Sequence, residues 1–514
     1  CMPRTIGLVT EMFPPESFKP GDIMMTNDPW LGAGHKSDVA LIAPAFKKDR
    51  LVAFIGPILH VVDVGGTLGD FRAWDIYEEG LMLPPCKLYE EGKINTALET
   101  IIRANVRLPE MVFGDINAMR TAIEVISKRL EELWQTSDLD LTRVAEQVSS
   151  RARNAFLEKP KTIPQGSYYA ELDADGILEG NEEMRKSIHL ALSAKMLGDE
   201  LVLDFTGTDA QRPRQSINVP LSYTLADAIY AMQYMLAPAV PNIGPQFSPI
   251  RVHAPEGCIL NAKAPVPVYA RTRTGIQIST LINAALAQAV PDWVQAGCGH
   301  NIIFHMVGNN KDGSYFGLTF MPKGGMGATG GRDGWDCTVY PTNCTMIATE
   351  VAETLAPVLI EHEIAQDTAG PGRERGGSGQ LVKLTSLSDE PLTLGFRPNF
   401  IKHTPIGLNG GLAGAPAFVE VNGKLERDDP VILKKGDFVR VRTAGGGGIG
   451  SPLERPLEKV MQDLEGGIIS VEHARAVYGV KVNSEGHPES ALSSVRRLEL
   501  KQGSFREVGN RSLQ

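Results

Sequence analysis

The alternation of apolar and polar positions divides the chain into stretches of different period. Ile23-Met24-Met25-Thr26 is a short apolar run between a Pro20-Gly21 turn and Asn27-Asp28-Pro29. Two continuous apolar runs, 39–46 and 51–55, flank Lys47-Lys48-Asp49-Arg50, the pattern of a β-hairpin. Neither run alternates, so the pattern predicts strands covered on both faces. Residues 1–94 are therefore expected to be strands and loops. From 95 to 160 the period becomes helical. Ile116, Met119, Ile123, Ile126, Leu130 and Leu133 recur every three or four residues, an apolar seam on one helix face. Leu141, Val144, Val148, Ala152, Ala155 and Phe156 repeat the pattern, with Ser137-Asp138 as cap residues and Pro160 as a stop. Two such helices in succession make a helical hairpin, packed into the core or offered to a subunit contact.

Period two returns after 165. Runs at 168–172, 189–194 and 201–205, with turns at Asp173-Ala174-Asp175-Gly176 and Gly198-Asp199, predict a meander. Helices are expected at 224–236 and 274–289, short apolar runs among glycines over 300–380, and a short helical tail over 452–480. The whole reads as an α+β multidomain chain: a β-rich region at 1–94, the helical hairpin at 95–160, a mixed α/β region at 161–380, a β-rich region at 381–450 and a C-terminal tail at 451–514.

Composition narrows the function classes. At 514 residues the chain exceeds what one core holds, and 42% hydrophobic with 22% charged residues is an ordinary globular balance. Lys plus Arg is 51 against 61 for Asp plus Glu, a formal charge of −10. A surface of that sign repels phosphate backbones, which argues against nucleic-acid binding. The longest apolar stretch, 51–62, is broken by Gly56, Pro57 and His60, and a membrane helix needs ~20 residues, so no membrane span is expected. Six cysteines without a CxxC pair and no basic-then-apolar leader point to a reducing compartment, the cytoplasm. The chain opens at Cys1, which reads as a cut or processed start. Glycine, at 53, is the loudest number.

One constellation carries chemistry. His35-Lys36-Ser37-Asp38 is followed 25 residues after His35 by His60, with Asp63 three further on, in a chain of ten histidines. If the hairpin turns at 47–50, cross-strand partners have numbers summing to about 97 or 98, so Asp38 faces Leu59 or His60. In the second register the two side chains share a face, with Cβ atoms ~4.5–5.5 Å apart. His35, in the Gly32-Ala33-Gly34 loop feeding the strand, folds over the same end. Two imidazoles and a carboxylate make half of a divalent metal site of Zn²⁺, Mn²⁺ or Fe²⁺ character, with positions left open for water or substrate. The plain alternative is that each histidine bonds a backbone carbonyl. Asn27-Asp28-Pro29-Trp30 is a proline-locked Asx turn in its plain reading. In its functional reading Asp28, like Asp63 beyond His60, orients a ligand or moves a proton.

These residues, Asn27-Asp28-Pro29, Gly34-His35, Asp38, then His60 with Asp63-Val64-Gly65-Gly66, resemble the N-terminal signature of the hydantoinase B/oxoprolinase B family. The likeness continues through Ile76-Tyr77-Glu78-Glu79-Gly80-Leu81, Pro84-Pro85, Asn105-Val106-Arg107, Gly114-Asp115 and Asp204-Phe205-Thr206-Gly207-Thr208. Further blocks are Gly324-Gly325-Met326-Gly327-Ala328, Thr342-Asn343, Glu350 with Glu353, Asp367 through Arg375-Gly376-Gly377, Gly445 to Gly450, Pro452-Leu453-Glu454-Arg455 and Tyr478-Gly479-Val480. The resemblance implies a B-type subunit of an ATP-dependent complex that opens cyclic amides (hydantoins, 5-oxoproline, lactams), while close relatives carboxylate ketones such as acetone or acetophenone. It also implies an A-type, ATPase-like partner that binds the ATP, and hence a hetero-oligomer acting on a small molecule. Carried over by position, His35, Asp38 and His60 match the metal ligands, with a further carboxylate ligand in an Arg-Asp-Phe-Ser-like segment upstream of Cys1. Where many hydantoinase-type members have Gly-Gly-Thr-His, this chain has Gly32-Ala33-Gly34-His35 after Trp30, which leans toward the ketone carboxylases. A non-catalytic scaffold that docks its partner through the hairpin at 110–158 is the rival from another class.

No GxxxxGK[ST] occurs, and Gly370-Pro371-Gly372-Arg373-Glu374-Arg375-Gly376 misses the GxGxxG spacing by one residue. ATP chemistry therefore falls to the partner. The amides of Gly325 and Gly327 are candidates for approach to a phosphate or carboxylate, the plain alternative being tight turns. The run Gly445 to Gly448 reads as a flexible loop or a substrate lid. Arg375, with Arg271 or Arg273, is a candidate anion anchor, the plain alternative being an ion pair. Cys337 and Cys344 carry no nucleophile signature, and Cys86 reads as a small buried apolar group.

Overall fold

The structure is a computed structural model that describes residues 2–497 except 68–72, 178–181, 245–246, 310–312, 339, 341–345, 426–429, 484–488, 490–492 and 495–496. Cys1, Thr342-Asn343, Cys344 and most of the polar tail lie outside the described residues. Two compact units emerge, Cys1–Glu171 with His189–Ile282 and Leu172–Ile188 with Asn283–Gln514.

The first unit is built on a six-stranded sheet of order β3-β2-β1-β5-β6, with β4 also paired to β2. Its strands are Ile23–Thr26 (β1), Asp38–Lys47 (β2), Arg50–Ile55 (β3), Ile58–His60 (β4), Cys86–Glu90 (β5) and Lys93–Ile94 (β6). Both faces of the inner strands are covered, as unbroken apolarity requires. Ile23, Met25, Val39 and Leu41 pack with Ile102, Val112 and Ile116, whereas Met24 and Ile42 pack with Val9 and Phe18. The first partners come from helices Thr96–Asn105 (α2) and Pro109–Thr136 (α3), and Val9 from a helix at Met2–Met12 (α1). That first helix corrects the expectation of strands and loops at the start. It is only 11 residues long and buries only Thr5 and Val9 completely, a face too narrow to stand out as a period.

The two predicted seams fall on α3 and on Leu141–Leu157 (α4), and α2 precedes them as a third helix that no seam predicted. The cap of α4 is Asp140, whose carboxylate accepts the Thr142 and Arg143 amides, while Ser137 ends α3. The seam of α3 is only half used: Ile116, Met119 and Ile123 are buried, but Ile126 and Leu133 are 44% and 38% exposed. The expected meander appears in a second sheet of order β10-β9-β8-β7, formed by Gly166–Ala174 (β7), Ile188–Leu197 (β8), Glu200–Asp204 (β9) and Ile250–His253 (β10). Helix Leu221–Leu236 matches its expected span, and the helix expected at 274–289 is two pieces, Thr272–Gly275 and Gln277–Leu286.

The second unit holds two sheets. One, of order β12-β11-β15-β18, contains Ile303–Asn309 (β11), Tyr315–Phe320 (β12), Leu392–Arg397 (β15) and Val431–Leu433 (β18). The other runs β13-β14-β19-β16-β17, from Val358–Ile364 (β13), Gln380–Ser386 (β14), Phe418–Val421 (β16), Lys424–Leu425 (β17) and Phe438–Arg442 (β19). Phe304, Phe320 and Phe396 share one core with Val382, Val439 and Val441. The unit also contains a set of glycine-rich segments bonded backbone to backbone. Gly299 N–H donates to Gly325 O (2.8 Å), Gly377 N–H to Met326 O (2.7 Å), Gly446 N–H to Gly377 O (2.9 Å) and Gly447 N–H to Gly297 O (2.7 Å). A Cβ on Gly325 would lie 1.8 Å from Gly377 O, and one on Gly446 would lie 2.2 Å from Met326 O. Close approach, rather than a left-handed backbone, is what demands glycine there. Among the described residues no helix is long and apolar enough to cross a membrane.

Candidate metal centre

β2 opens at Asp38 and β4 closes at His60, and the two residues are register partners. The register follows from a bulge. Lys47 pairs with Arg50 and Phe46 with Leu51, but Ala45 pairs with Ala53, which leaves Val52 as the extra residue. Partner numbers thus sum to 97 beside the turn and 98 beyond it, so the bulge selects the register that faces Asp38 with His60. Gly34, at φ +95°, turns the chain so that His35 meets this strand end, and a Cβ there would lie 2.8 Å from Arg271 Cδ.

Three donor atoms converge. His60 Nδ1 lies 3.0 Å from Asp38 Oδ1 and 3.2 Å from His35 Nε2, and His35 Nε2 lies 2.9 Å from the same carboxylate oxygen. The second oxygen, Asp38 Oδ2, accepts from Arg271 Nη2 at 3.1 Å, while Arg271 Nε donates to Ala33 O at 2.9 Å. His35 is 6% exposed and the His60 side chain 56% exposed, so the cluster is reached from the His60 side. Burial, with the Arg271 charge next, pushes His35 down to about 3, which leaves a neutral imidazole at neutral pH. Burial opposes ionisation of Asp38, but His35, His60 and Arg271 outweigh it and hold the carboxyl well below its usual range.

The residues fit a divalent cation. Two nitrogens and a carboxylate oxygen facing one another at 2.9–3.2 Å cannot all be paired by protons. A cation ~2.0–2.2 Å from such donors holds adjacent ones ~3 Å apart. His35, Asp38 and His60 are also the one group of three or more His, Cys, Asp or Glu residues with this convergence among the described residues. Nitrogen and oxygen donors without thiolate suit Zn²⁺, Mn²⁺ or Fe²⁺.

The other expected site residues are placed differently. Asp28 Oδ1 accepts the Trp30 amide at 2.9 Å, which is the plain Asx turn. Asp63, 3% exposed, accepts from the Gly65 amide (2.8 Å) and from Arg107 Nη1 (3.0 Å), and its second oxygen accepts the Arg107 amide. It ties the turn after His60 to the end of α2. Arg375 is 8% exposed and pairs with Asp463 and Asp336, both at 2.9 Å. Arg455, 1% exposed, joins the same network through Asp463 and Asp333. Arg375 therefore already holds two carboxylates of its own chain. The Gly325 amide donates to Ala444 O (3.0 Å) and that of Gly327 to Cys298 Sγ (3.2 Å), so both anion-binding candidates are engaged. Burial pushes the Cys337 thiol up to about 11.

Sequence reasoning missed the groups behind the triad. Lys36, 1% exposed, donates to Ile76 O and Gly80 O. Tyr269 places its ring 5.5 Å from that of His35, and Glu79 accepts the Tyr269 amide. Glu79 is visible in the sequence only within the 76–81 block, and Tyr269 carries no local signal at all.

With this geometry in hand, similarity to known proteins is informative. Residues 1–452 match the family model described as hydantoinase B/oxoprolinase. A putative D-/L-hydantoinase B-type subunit from Pseudomonas sp. (strain NS671) is 31% identical over 490 residues, covering 91% of this chain and 82% of that protein. The acetophenone carboxylase delta subunit of Aromatoleum aromaticum is 25% identical over 542 residues, covering 93% and 77%. Among solved structures, the ATP-dependent caprolactamase from Pseudomonas jessenii superposes with a TM-score of 0.85 at 25% identity, covering 97% of this chain and 89% of that one. The mixed α/β architecture is thus shared with these proteins, and the chain belongs to the hydantoinase B/oxoprolinase family.

Proposed function

We propose that this chain is the metal-bearing B-type subunit of an ATP-dependent complex that opens cyclic amides of hydantoin, 5-oxoproline or lactam type. An A-type, ATPase-like partner binds the nucleotide and supplies the activated substrate. The observation that carries this reading is the convergence of His35 Nε2, Asp38 Oδ1 and His60 Nδ1 within 3.2 Å of one another. When bound there, a divalent metal supplies polarisation of a substrate oxygen and a water of lowered pKa. His35 and His60 offer nitrogens to it, and Asp38 offers one oxygen while Arg271 holds the other. The exposed His60 edge admits substrate, and the buried His35 side keeps bulk water out. The hydantoinase relative and the caprolactamase structure favour cyclic amides. A second reading, ketone carboxylation on the same scaffold, is favoured by the acetophenone carboxylase relative and by Trp30 ahead of Gly32-Ala33-Gly34-His35.

The test is elemental analysis and activity of the chain purified with its partner, alongside His35→Ala and His60→Ala. About one metal ion per chain is expected, lost in both variants together with at least ~100-fold of the activity. His60 is largely exposed, so its variant keeps the fold. Wild-type protein without stoichiometric metal, and variants of full activity, would overturn the proposal.

A further inference from the structure

The polar groups behind the metal ligands form a closed circuit. Lys36, between two ligands, donates its ammonium to the carbonyls of Ile76 and Gly80. The Ile76 amide donates in turn to Pro265 O at 2.8 Å. Glu79, 2% exposed, accepts the Tyr269 amide at 2.8 Å, and the Val268 amide and the Ser216 hydroxyl also face its carboxylate. Segment 265–271, held in this way, carries the two groups that touch the ligands from behind. These are the Tyr269 ring against His35 and the Arg271 guanidinium on Asp38.

His35 makes this circuit consequential. A metal-bound histidine ordinarily donates its far N–H to a carboxylate, carbonyl or water, which fixes the ring. His35 Nδ1 is buried with no hydrogen-bond partner. Rotation of the imidazole is therefore set by packing, and the ring behind it belongs to a residue whose backbone Glu79 holds.

We propose that Glu79 is a positioning residue for the metal centre. It fixes the 268–271 backbone, so that the Tyr269 ring orients His35 and Arg271 holds Asp38 in its one-oxygen arrangement. Two backbone N–H groups and a hydroxyl face the Glu79 carboxyl, and its Oε1 accepts the Tyr269 amide, while Oε2 is buried with no hydrogen-bond partner. The inference rests on the reading of His35, Asp38 and His60 as metal ligands.

Co²⁺ is the probe, since its visible ligand-field spectrum reports ligand geometry as well as occupancy. It is titrated into metal-stripped full-length wild type, Glu79→Gln, Glu79→Ala, Tyr269→Leu and the Glu79→Ala/Tyr269→Leu double variant, with melting temperature followed for each. Glu79→Ala and Tyr269→Leu are expected to weaken Co²⁺ binding ~10-fold each and to alter its spectrum. Because both variants remove the same hold on His35, the loss in the double variant is expected to fall well short of the product of the two single losses. Glu79→Gln, which retains one acceptor, should fall between wild type and Glu79→Ala, and it serves if the alanine variant fails to fold. Glu79 variants with wild-type affinity and spectrum, or losses that multiply in the double variant, would sink the positioning role while leaving the metal reading intact. Wild type that binds no Co²⁺ would overturn both.

Discussion

Asp38 sits where three positive or proton-bearing groups compete for two oxygens. Arg271 takes Oδ2, which leaves Oδ1 to the two imidazoles. A buried carboxylate of this kind is costly unless paired, and Arg271 supplies the pairing that does not depend on a metal. Asp227, on helix Leu221–Leu236, has no such neighbour. Its Oδ2 is buried without a partner, and burial pushes the carboxyl up to about 7 against the opposing pull of the Ser279 amide. In the unfolded chain an aspartate titrates near ~4. Between these values the folded state binds more protons, so the contribution of Asp227 to stability is greatest below ~4 and is lost as pH rises toward 7. Asp227→Asn should therefore match wild type near pH 4 and exceed it near pH 8, by on the order of 2–4 kcal/mol. Thermal or urea unfolding of both proteins across that range measures the difference, and parallel stability profiles would refute the assignment. At this scale legibility follows sequence distance. His35, Asp38 and His60 lie on one hairpin, where a turn and a period of two bring them together. Tyr269 and Glu79 are 190 residues apart, and no local pattern joins them.

The elements were legible where burial on one side or both left a period, and illegible where backbone met backbone. The β2–β3 hairpin and the two helices α3 and α4 follow from apolar spacing alone. The bulge does not, because an extra residue such as Val52 changes the register without changing composition, and the sequence leaves Asp38 opposite either Leu59 or His60. Glycine is the sharper case. The count of 53 is plain, yet Gly446 and Met326 meet only in the fold. The same substitution should therefore have opposite signs in two elements. At Gly446 an added Cβ would lie 2.2 Å from Met326 O and 2.4 Å from Met326 C, so Gly446→Ala must force segments apart. Loss of soluble protein, or a melting temperature lower by ~10 °C or more, is expected. At Gly114, on an exposed face of α3, nothing lies within 4 Å of the added atom. Gly114→Ala should stabilise by about 0.5–1 kcal/mol through helix propensity. Calorimetry of the two variants checks both, and tolerance at Gly446 would contradict the packed-backbone account.

Across the whole molecule, the described residues place one metal-type cluster in the first unit, and the sequence contains no nucleotide-binding motif of the common kinds. The proposed function assigns the ATP chemistry to an A-type partner, and the products distinguish the two readings of what such a complex does. Opening a cyclic amide consumes water, so oxygen from labelled water enters the new carboxylate and no carbon is gained. Carboxylating a ketone consumes bicarbonate, so labelled carbon appears in an acid-stable acid. The ring-opening proposal predicts that this chain alone hydrolyses no ATP. With an ATPase-like partner, hydrolysis should rise on adding a hydantoin, 5-oxoproline or a lactam, with no fixation of labelled bicarbonate when a ketone is offered. His60→Ala should leave assembly with the partner intact, because His60 is exposed at the strand end, while product formation falls. Partner-dependent ATP use that persists in His60→Ala without product would fit the proposed division of labour, in which the metal site serves a step after activation by the partner. Acid-stable label from bicarbonate and a ketone would instead assign the complex to carboxylation, with the same three ligands serving a different second reactant.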